Sequence, residues 1–219
     1  MRVLTQELWF PDPRSALRGE HEGLVAIGGD LSVPRLLLAY RSGIFPWSAN
    51  PVTWWSPDPR AVFEWDGFHL NRSLAKLLRK QPFTVTRDQC FSKVMQACAE
   101  PGPGREASWI SSEFIDAYTV LHRAGHAHSV ECWKEGELVG GVYGVHIGGF
   151  FAGESMFHRA NNASKVALHH LLVHLKERGF QLFDTQVLNE TTENLGALAI
   201  PRKAYLERLS RAVAGECEF

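Results

Sequence analysis

The sequence has almost no net charge and a modest share of charged residues. Its 219 residues contain 23 Lys and Arg against 24 Asp and Glu, so the formal net charge is −1. This balance excludes a protein that holds nucleic acid by bulk positive charge, and any polyanionic partner must meet a local patch. With 45% hydrophobic residues, the composition also excludes a disordered chain. The length predicts one large domain or two small ones.

The sequence is also poor in cysteine and has no long apolar run. Its 4 cysteines form no CxxC pair and no metal-type spacing, which favours a reducing compartment over a disulfide scaffold. No stretch reaches the roughly 18 apolar residues of a membrane span. Glu7, Pro11 and Pro13 interrupt the region where a signal peptide needs an apolar core. We therefore expect a cytoplasmic protein without a membrane partner.

Residues 1–62 differ from the rest of the chain because they are rich in proline, glycine and tryptophan. They contain one clear helix, predicted at 33–41 from Ser32 as N-cap and Gly43 as stop signal. The remainder of this region is predicted to be loops packed on something larger. From Phe68 the pattern is regular, and helices are predicted at about 72–80, 89–99, 111–122, 162–178 and 201–213. We expect a small N-terminal domain, 1–62, followed by a larger domain, 63–219.

The larger domain contains the strongest strand signals. HSVECWKEGELVGGVYGV reads as two strands joined by a tight turn at Glu135-Gly136, and FFAGESMF continues this meander. A helix then leads to the strand QLFDTQV, which should run parallel to FFAGESMF as its neighbour. The predicted fold class is therefore α+β with a mixed sheet.

Three polar residues interrupt these apolar strands. Asp184 and Gln186 lie two apart, so both side chains should leave the same face of their strand, and Glu154 should lie beside them. An unpaired carboxylate inside a sheet is costly, which points to a polar site. The alternative is that this face is a solvated sheet edge. Glu154, flanked by Phe151 and Phe157, favours a site inside the sheet.

The predicted helix at 72–80 has a basic face. Its cations are spaced i, i+4, i+7 and i+8, and no acidic residue occurs between Phe68 and Thr86. An ordinary surface helix also places cations opposite apolar residues, which is the alternative interpretation. The unmixed sign favours contact with a nucleic-acid backbone. The four residues are Arg72, Lys76, Arg79 and Lys80.

Tryptophan and histidine clusters suggest two further kinds of site. Loop tryptophans can stack on nucleobases, although packing is their more frequent role. The histidines at 122, 126 and 128 and at 170 and 174 suggest a metal site. Gly125 should end the first helix before the second histidine, and neither group has a thiolate or HExxH context, so we expect no metal.

Six long runs of the sequence resemble one known family, the leucyl/phenylalanyl-tRNA protein transferases. The resemblance covers about Pro11 to Leu209, nearly the whole chain. The runs are AIGGDLSVPRLLLAYRSGIFPW, WWSPDPRAVF, LHRAGHAHSVECW, LVGGVYGV, FAGESMFHRANNASKVAL and FDTQVLNETTENLGALAIPR.

The resemblance implies a fold, an activity and partners. The fold is a small N-terminal α/β domain followed by a domain similar to acyl-CoA N-acetyltransferases. The activity is transfer of leucine or phenylalanine from aminoacyl-tRNA to the N-terminal Arg or Lys of a protein, which marks that protein for N-degron proteolysis. No cofactor is expected, and a monomer is expected by analogy with the fold.

The same resemblance assigns roles to residues of this sequence. Trp47 and Trp109 match tryptophans that hold the terminal adenosine of the tRNA. Glu154, Asp184 and Gln186 match the catalytic centre, and Asn189 lies close by in the same block. Residues that match the pocket for the transferred side chain are Val142, Phe151, Met156, Leu168 and Leu171.

Two positions depart from the family. Thr185 stands where a Cys is frequent and is expected to point away from the site. Val142 stands where a bulkier Met can occur, which leaves the preference among Leu, Phe and Met open.

The implied mechanism is aminolysis of an activated ester. Gln186 Oε1 would accept a hydrogen bond from the attacking amine, Asp184 would orient this network, and Glu154 would attract the cationic acceptor. The ribose hydroxyl of the tRNA is an alternative proton shuttle.

Three other functions remain alternatives. An acetyl-CoA-dependent N-acetyltransferase would need a Q/R-x-x-G-x-G/A loop where this chain reads HRANNASKVAL. A peptidoglycan aminoacyltransferase usually has a coiled-coil arm and a duplicated domain, which this chain lacks. A noncatalytic RNA-binding protein would use only the basic helix and the tryptophans.

Overall fold

The computed structural model describes residues 2–101 and 108–219. Its strands are β1 (Val3–Leu4), β2 (Leu24–Gly28), β3 (Phe45–Ala49), β4 (Val52–Trp55), β5 (Arg60–Phe63), β6 (Thr84–Arg87), β7 (Ala127–Lys134), β8 (Glu137–Ile147), β9 (Phe150–His158), β10 (Leu182–Gln186) and β11 (Leu198–Ile200). Its α-helices are α1 (Val33–Arg41), α2 (Arg72–Lys80), α3 (Phe91–Ala99), α4 (Ser112–Arg123), α5 (Ala163–Glu177), α6 (Glu190–Asn194) and α7 (Arg202–Ala212).

The N-terminal region forms a sheet of four strands in the order β1-β2-β4-β3. The helix at 33–41 is confirmed, but the prediction that the rest of residues 1–62 are loops is wrong. These strands have 2 to 5 residues, and Pro46 lies inside β3, so little periodicity is visible in the sequence. Pairing with distant strands stabilises them, since the Trp54 side chain is fully buried and donates from Nε1 to the Gly28 carbonyl at 2.8 Å.

The second sheet has seven strands in the order β11-β5-β10-β9-β8-β7-β6. The predicted turn is confirmed, because Glu135 and Gly136 both have positive φ between the paired strands β7 and β8. The pairing of β9 with β10 is parallel and the other neighbours are antiparallel. The predicted α+β class with a mixed sheet is therefore confirmed.

Each face of the large sheet is covered by a separate hydrophobic cluster. Val142 and Tyr143 are adjacent on β8, yet they belong to different clusters because successive strand residues face opposite sides. Helix α5 packs on the Val142 side, while α3, α4, α7 and the small sheet meet on the Tyr143 side. The expected division after residue 62 stays a prediction, and it falls within β5 of the large sheet.

Candidate active site

A cavity of about 520 Å³ opens at the middle strands of the large sheet. Its walls combine apolar side chains with hydroxyl, amide and carboxyl groups. The lining residues are Phe63, Trp109, Val142, Gly153, Glu154, Ser155, Met156, Leu168, Phe183, Thr185, Asn189, Glu190, Thr191 and Thr192.

Six of the residues that the sequence predicted for the site line this cavity. They are Trp109, Val142, Glu154, Met156, Leu168 and Asn189. Phe151 and Leu171 do not line it, because both are buried in the cluster behind the wall. The Phe151 ring stacks on Phe183 with centroids 5.7 Å apart, so it supports a residue of the wall. The structure thus brings most of the predicted pocket residues together.

Trp47 lies outside the cavity lining, on strand β3 of the small sheet. Its side chain is 41% exposed and meets Trp55 edge to face at 5.6 Å. Trp109 is held differently, since it meets the buried Phe114 edge to face at 5.1 Å. A partly exposed indole is a surface on which a base can stack.

Two β-bulges turn the polar side chains of the site. Between β8 and β9 the register passes from Tyr143↔Ser155 to Gly144↔Gly153, which leaves Glu154 as the extra residue. A Cβ on Gly144 would come 2.1 Å from the Ala152 carbonyl oxygen, so only glycine permits this close approach. Bulges redirect side chains and occur next to active sites.

The second bulge lies between β10 and β5, where Thr185 is the extra residue. Gln186, which follows it, has a φ of +64°, a conformation that costs energy for any residue other than glycine. The Asp184 carboxylate stabilises this backbone, because Oδ1 accepts from the Gln186 N–H at 2.7 Å. The bulge places Gln186 against Glu154.

The two carboxyl oxygens of Glu154 differ in their hydrogen bonding. Its Oε1 accepts from Gln186 Nε2 and from the Tyr40 hydroxyl, both at 2.7 Å, while Oε2 is buried without a partner among the described residues. Burial raises the pKa of Glu154 to about 8; the Tyr40 hydrogen bond and the Arg60 charge oppose the rise, and the Asp184 charge adds to it. Gln186 itself is buried and does not line the cavity, and with Nε2 bonded to Glu154 the acceptor atom of its amide is Oε1.

Tyr40 connects this pair to the helices. Its hydroxyl also bonds the Tyr118 hydroxyl of α4, and both tyrosines are fully buried. Burial, with the nearby Glu154 charge, raises the pKa of both hydroxyls well above the usual value. They are therefore held as hydrogen-bond donors that orient Glu154.

Asp184 lies in a closed ion-pair cluster. Arg60 donates from Nη2 to Asp184 Oδ2 at 2.7 Å and from Nε to Oδ1 at 3.0 Å, and the Tyr205 hydroxyl donates to Oδ2 at 2.8 Å. Burial alone would lower the pKa of Arg60, but the Asp184 charge raises it overall. All three side chains are at most 1% exposed. Asp184 is therefore placed to position Gln186, and the cavity does not reach it.

Sequence reasoning missed Arg60, Tyr205 and Tyr40. A signal for Arg60 was present, since a single charge in the apolar strand RAVF requires a buried partner. The expectation for Thr185 is wrong, because it lines the cavity. The cavity opens on the face of β10 opposite to Asp184, which strand alternation gives to Thr185.

The four cations of α2 lie on the surface as expected. Arg72, Lys76, Arg79 and Lys80 are exposed, and Leu74 is buried beneath them. None of the four forms an ion pair with a described residue. Their charge is thus available to an external anion.

Two other kinds of site find no support in the part of the chain that the structure describes. Within 2–101 and 108–219, no group of three or more His, Cys, Asp or Glu side chains is arranged to hold a metal ion. None of the helices in these ranges is long and apolar enough to cross a membrane.

Comparison with known proteins identifies close relatives. Proteins named leucyl/phenylalanyl-tRNA protein transferase from Pseudomonas fluorescens (strain Pf0-1) and Yersinia enterocolitica are 51% and 50% identical, covering 93% and 96% of this chain and 91% and 89% of their own. Among solved structures, a ribosomal-protein-alanine N-acetyltransferase from Brucella melitensis biovar Abortus 2308 is similar with a TM-score of 0.35 and 15% identity, over 57% of this chain and 89% of its own.

Sequence models of one family match both parts of the chain. The model described as leucyl/phenylalanyl-tRNA protein transferase N-terminal domain matches residues 29–58, and the model described as leucyl/phenylalanyl-tRNA protein transferase matches residues 62–210. The resemblance found in the sequence is confirmed: this chain belongs to the leucyl/phenylalanyl-tRNA protein transferase family.

Proposed function

We propose that this protein is an aminoacyltransferase that moves leucine or phenylalanine from aminoacyl-tRNA to the N-terminal Arg or Lys of an acceptor protein. The observation that carries this proposal is an apolar cavity lined by Glu154, whose carboxyl group accepts a hydrogen bond from the buried Gln186 directly behind it. Membership of the family supports the same reaction. The product would be a protein with a new apolar N-terminus, which would act as an N-degron.

The cavity wall suits the side chain of the donor amino acid. Val142, Met156, Leu168 and Phe183 present apolar surface, with Phe151 and Leu171 packed behind them. A polar side chain would lose its hydration here without gaining hydrogen bonds, which disfavours most other aminoacyl groups. The small Val142 leaves space in the wall, so methionine is a further candidate donor.

The chemical step needs positioning more than strong base. An aminoacyl ester is already activated, and an N-terminal amine with a reference pKa of about 7.7–8.0 has a neutral fraction at neutral pH. Gln186 Oε1 accepts a hydrogen bond from this amine as it attacks the ester carbonyl. The Glu154 contact fixes the orientation of the Gln186 amide, and Asp184 fixes its backbone. The new amide bond forms as the ester bond to the ribose oxygen breaks, and that oxygen takes up the proton of the amine, relayed through Gln186 or through the neighbouring ribose hydroxyl of the tRNA.

The tRNA would contact two separate surfaces. Trp47 and Trp109 would hold the terminal adenosine by stacking, with Asn189 at the rim of the cavity, and the cations of α2 would follow the phosphate backbone. The absence of bulk positive charge agrees with such a local contact. We further propose that the protein acts as a monomer in the cytoplasm.

The direct test is a transfer assay with three arms. The protein is incubated with radiolabelled Leu-tRNA and a peptide that begins with Arg, the same peptide with an acetylated N-terminus, or acetyl-CoA in place of Leu-tRNA. We expect labelled leucine only on the free Arg peptide. Acetylation of the peptide by acetyl-CoA, or tRNA binding without transfer, would overturn the proposal.

The tRNA surface is tested by salt dependence. Neutralising Arg72, Lys76, Arg79 and Lys80 with glutamine should weaken tRNA binding, and each lost phosphate contact should lower the slope of log affinity against log salt by about 0.9. Neutralising Lys203 and Arg211, exposed cations of α7, is the control. An unchanged slope in the α2 variant would show that the phosphates bind elsewhere.

A further inference from the structure

The proposed acceptor carries a positive side chain, and the cavity contains few groups that match it. An N-terminal Arg or Lys must release a proton from its α-amine to attack, but its guanidinium or ammonium group stays charged. Among the residues that the structure describes, the cavity lining includes two carboxyl side chains, Glu154 and Glu190, and neither Lys nor Arg.

Glu154 is poorly suited to bind this cation. Its Oε1 already accepts two hydrogen bonds, its Oε2 is buried, and burial raises the pKa of its carboxyl to about 8, so the neutral form is favoured at neutral pH. Asp184 is excluded as the partner of this cation for another reason: it forms a buried ion pair with Arg60 and does not line the cavity. The cationic side chain therefore needs a different partner.

Glu190 has the properties that Glu154 lacks. It is exposed, it lines the cavity, and it forms no ion pair with any residue in 2–101 or 108–219. Its backbone is fixed, because Asn189 and Thr192 on either side of it exchange hydrogen bonds of 3.0 and 3.1 Å between side chain and backbone. A fixed, solvated carboxylate at the rim presents a negative charge without a large desolvation cost.

We propose that Glu190 is a specificity-determining residue that binds the cationic side chain of the N-terminal Arg or Lys of the acceptor. This assignment rests on the proposed transfer function. It separates two roles: Glu154 orients Gln186 for the chemical step, and Glu190 selects the acceptor by charge. Glu193 on the same helix provides a matched control, since it is exposed but does not line the cavity.

The test removes the charge from each side of the contact. Transfer of leucine from Leu-tRNA is measured with two peptides, one beginning with Arg and one beginning with citrulline, which has the shape of Arg without its charge. The enzymes are the wild type, Glu190→Gln and Glu193→Gln. We expect Glu190→Gln to lower kcat/KM for the Arg peptide about fivefold, the scale of one accessible ion pair, through KM for the peptide.

The remaining measurements should not change. Glu190→Gln should keep the wild-type rate with the citrulline peptide and the wild-type KM for Leu-tRNA, and Glu193→Gln should match the wild type with both peptides. An equal loss with both peptides, no loss with either, or the same loss in Glu193→Gln would overturn the role of Glu190. Absence of transfer by the wild type itself would overturn the proposed function and this inference with it.

Discussion

Two carboxyl groups on neighbouring strands have opposite surroundings. Both oxygens of Asp184 are saturated, by Arg60, by Tyr205 and by the backbone of Gln186. Glu154 has one oxygen with two donors and one that receives no hydrogen bond from the described residues, and it borders the cavity. A saturated cluster holds backbone and side chains in place, whereas a partly satisfied pair next to open space can respond to a substrate. We therefore assign structure to the Asp184 cluster and chemistry to the Glu154–Gln186 pair.

Among substitutions in these two regions, Arg60→Met should cause the largest loss of stability. Removal of the guanidinium leaves Asp184 as an unpaired buried charge, so the free energy of unfolding should fall by about 3–5 kcal/mol. Urea unfolding measures this loss. Arg208→Met is the control, because Arg208 pairs with Glu64 in a partly exposed ion pair and should cost at most about 1 kcal/mol. Equal losses in the two variants would contradict the structural role of the cluster.

Removing the hydroxyl of a buried tyrosine should cause a smaller loss of stability, and the loss should differ between Tyr205 and Tyr118. Tyr205→Phe removes a hydrogen bond to the Asp184 carboxylate and should lower the free energy of unfolding by about 1.5–3 kcal/mol. Tyr118→Phe removes a bond between two hydroxyl groups and should cost about 1 kcal/mol. Both values come from denaturant titration of the purified variants. The distinction between the two regions fails if Tyr118→Phe is the more damaging change.

The third effect is the pH dependence of stability that Glu154 contributes. Because its pKa rises from the usual 4.5 to about 8 on folding, the folded state binds the proton more tightly. The resulting contribution to the free energy of unfolding is fully present below pH 4.5. It is lost as the pH rises towards 8, by at most about 1.4 kcal/mol per pH unit.

Glu154→Gln tests this dependence, because glutamine keeps an acceptor oxygen for Tyr40 and Gln186 but cannot titrate. The urea midpoints of the wild type and the variant are compared between pH 5 and pH 8.5. The variant should lose less stability over this range than the wild type. Parallel curves would contradict an elevated Glu154 pKa.

The sequence predicted the sheet well where its elements are long. The α5 helix and the parallel neighbours β9 and β10 followed from hydrophobic periodicity and from the handedness of crossover connections. The small N-terminal sheet was not predicted, because strands of 2 to 5 residues gain their stability from pairing with distant segments. The hydrophobic pattern within such a short segment contains little information about these distant pairings.

The site was predicted in part for the same reason. Glu154, Asp184 and Gln186 could be found because polar side chains are conspicuous in apolar strands. The roles of Arg60 and Tyr205 depend on contacts across more than 20 residues of sequence, at separations of 124 and 21 from Asp184. The two bulges interrupt the two-residue alternation on which the prediction rested, next to Glu154 and between Asp184 and Gln186.

The central claim is that Gln186 acts in the reaction while the Asp184 cluster only holds it. The most direct measurement is the single-turnover rate of leucyl transfer to an Arg peptide, with folded protein verified at the same temperature. Gln186→Ala should transfer about 10²-fold more slowly than the wild type while it remains folded. Tyr205→Phe should be less stable but should transfer at close to the wild-type rate. Wild-type transfer by folded Gln186→Ala would contradict the account.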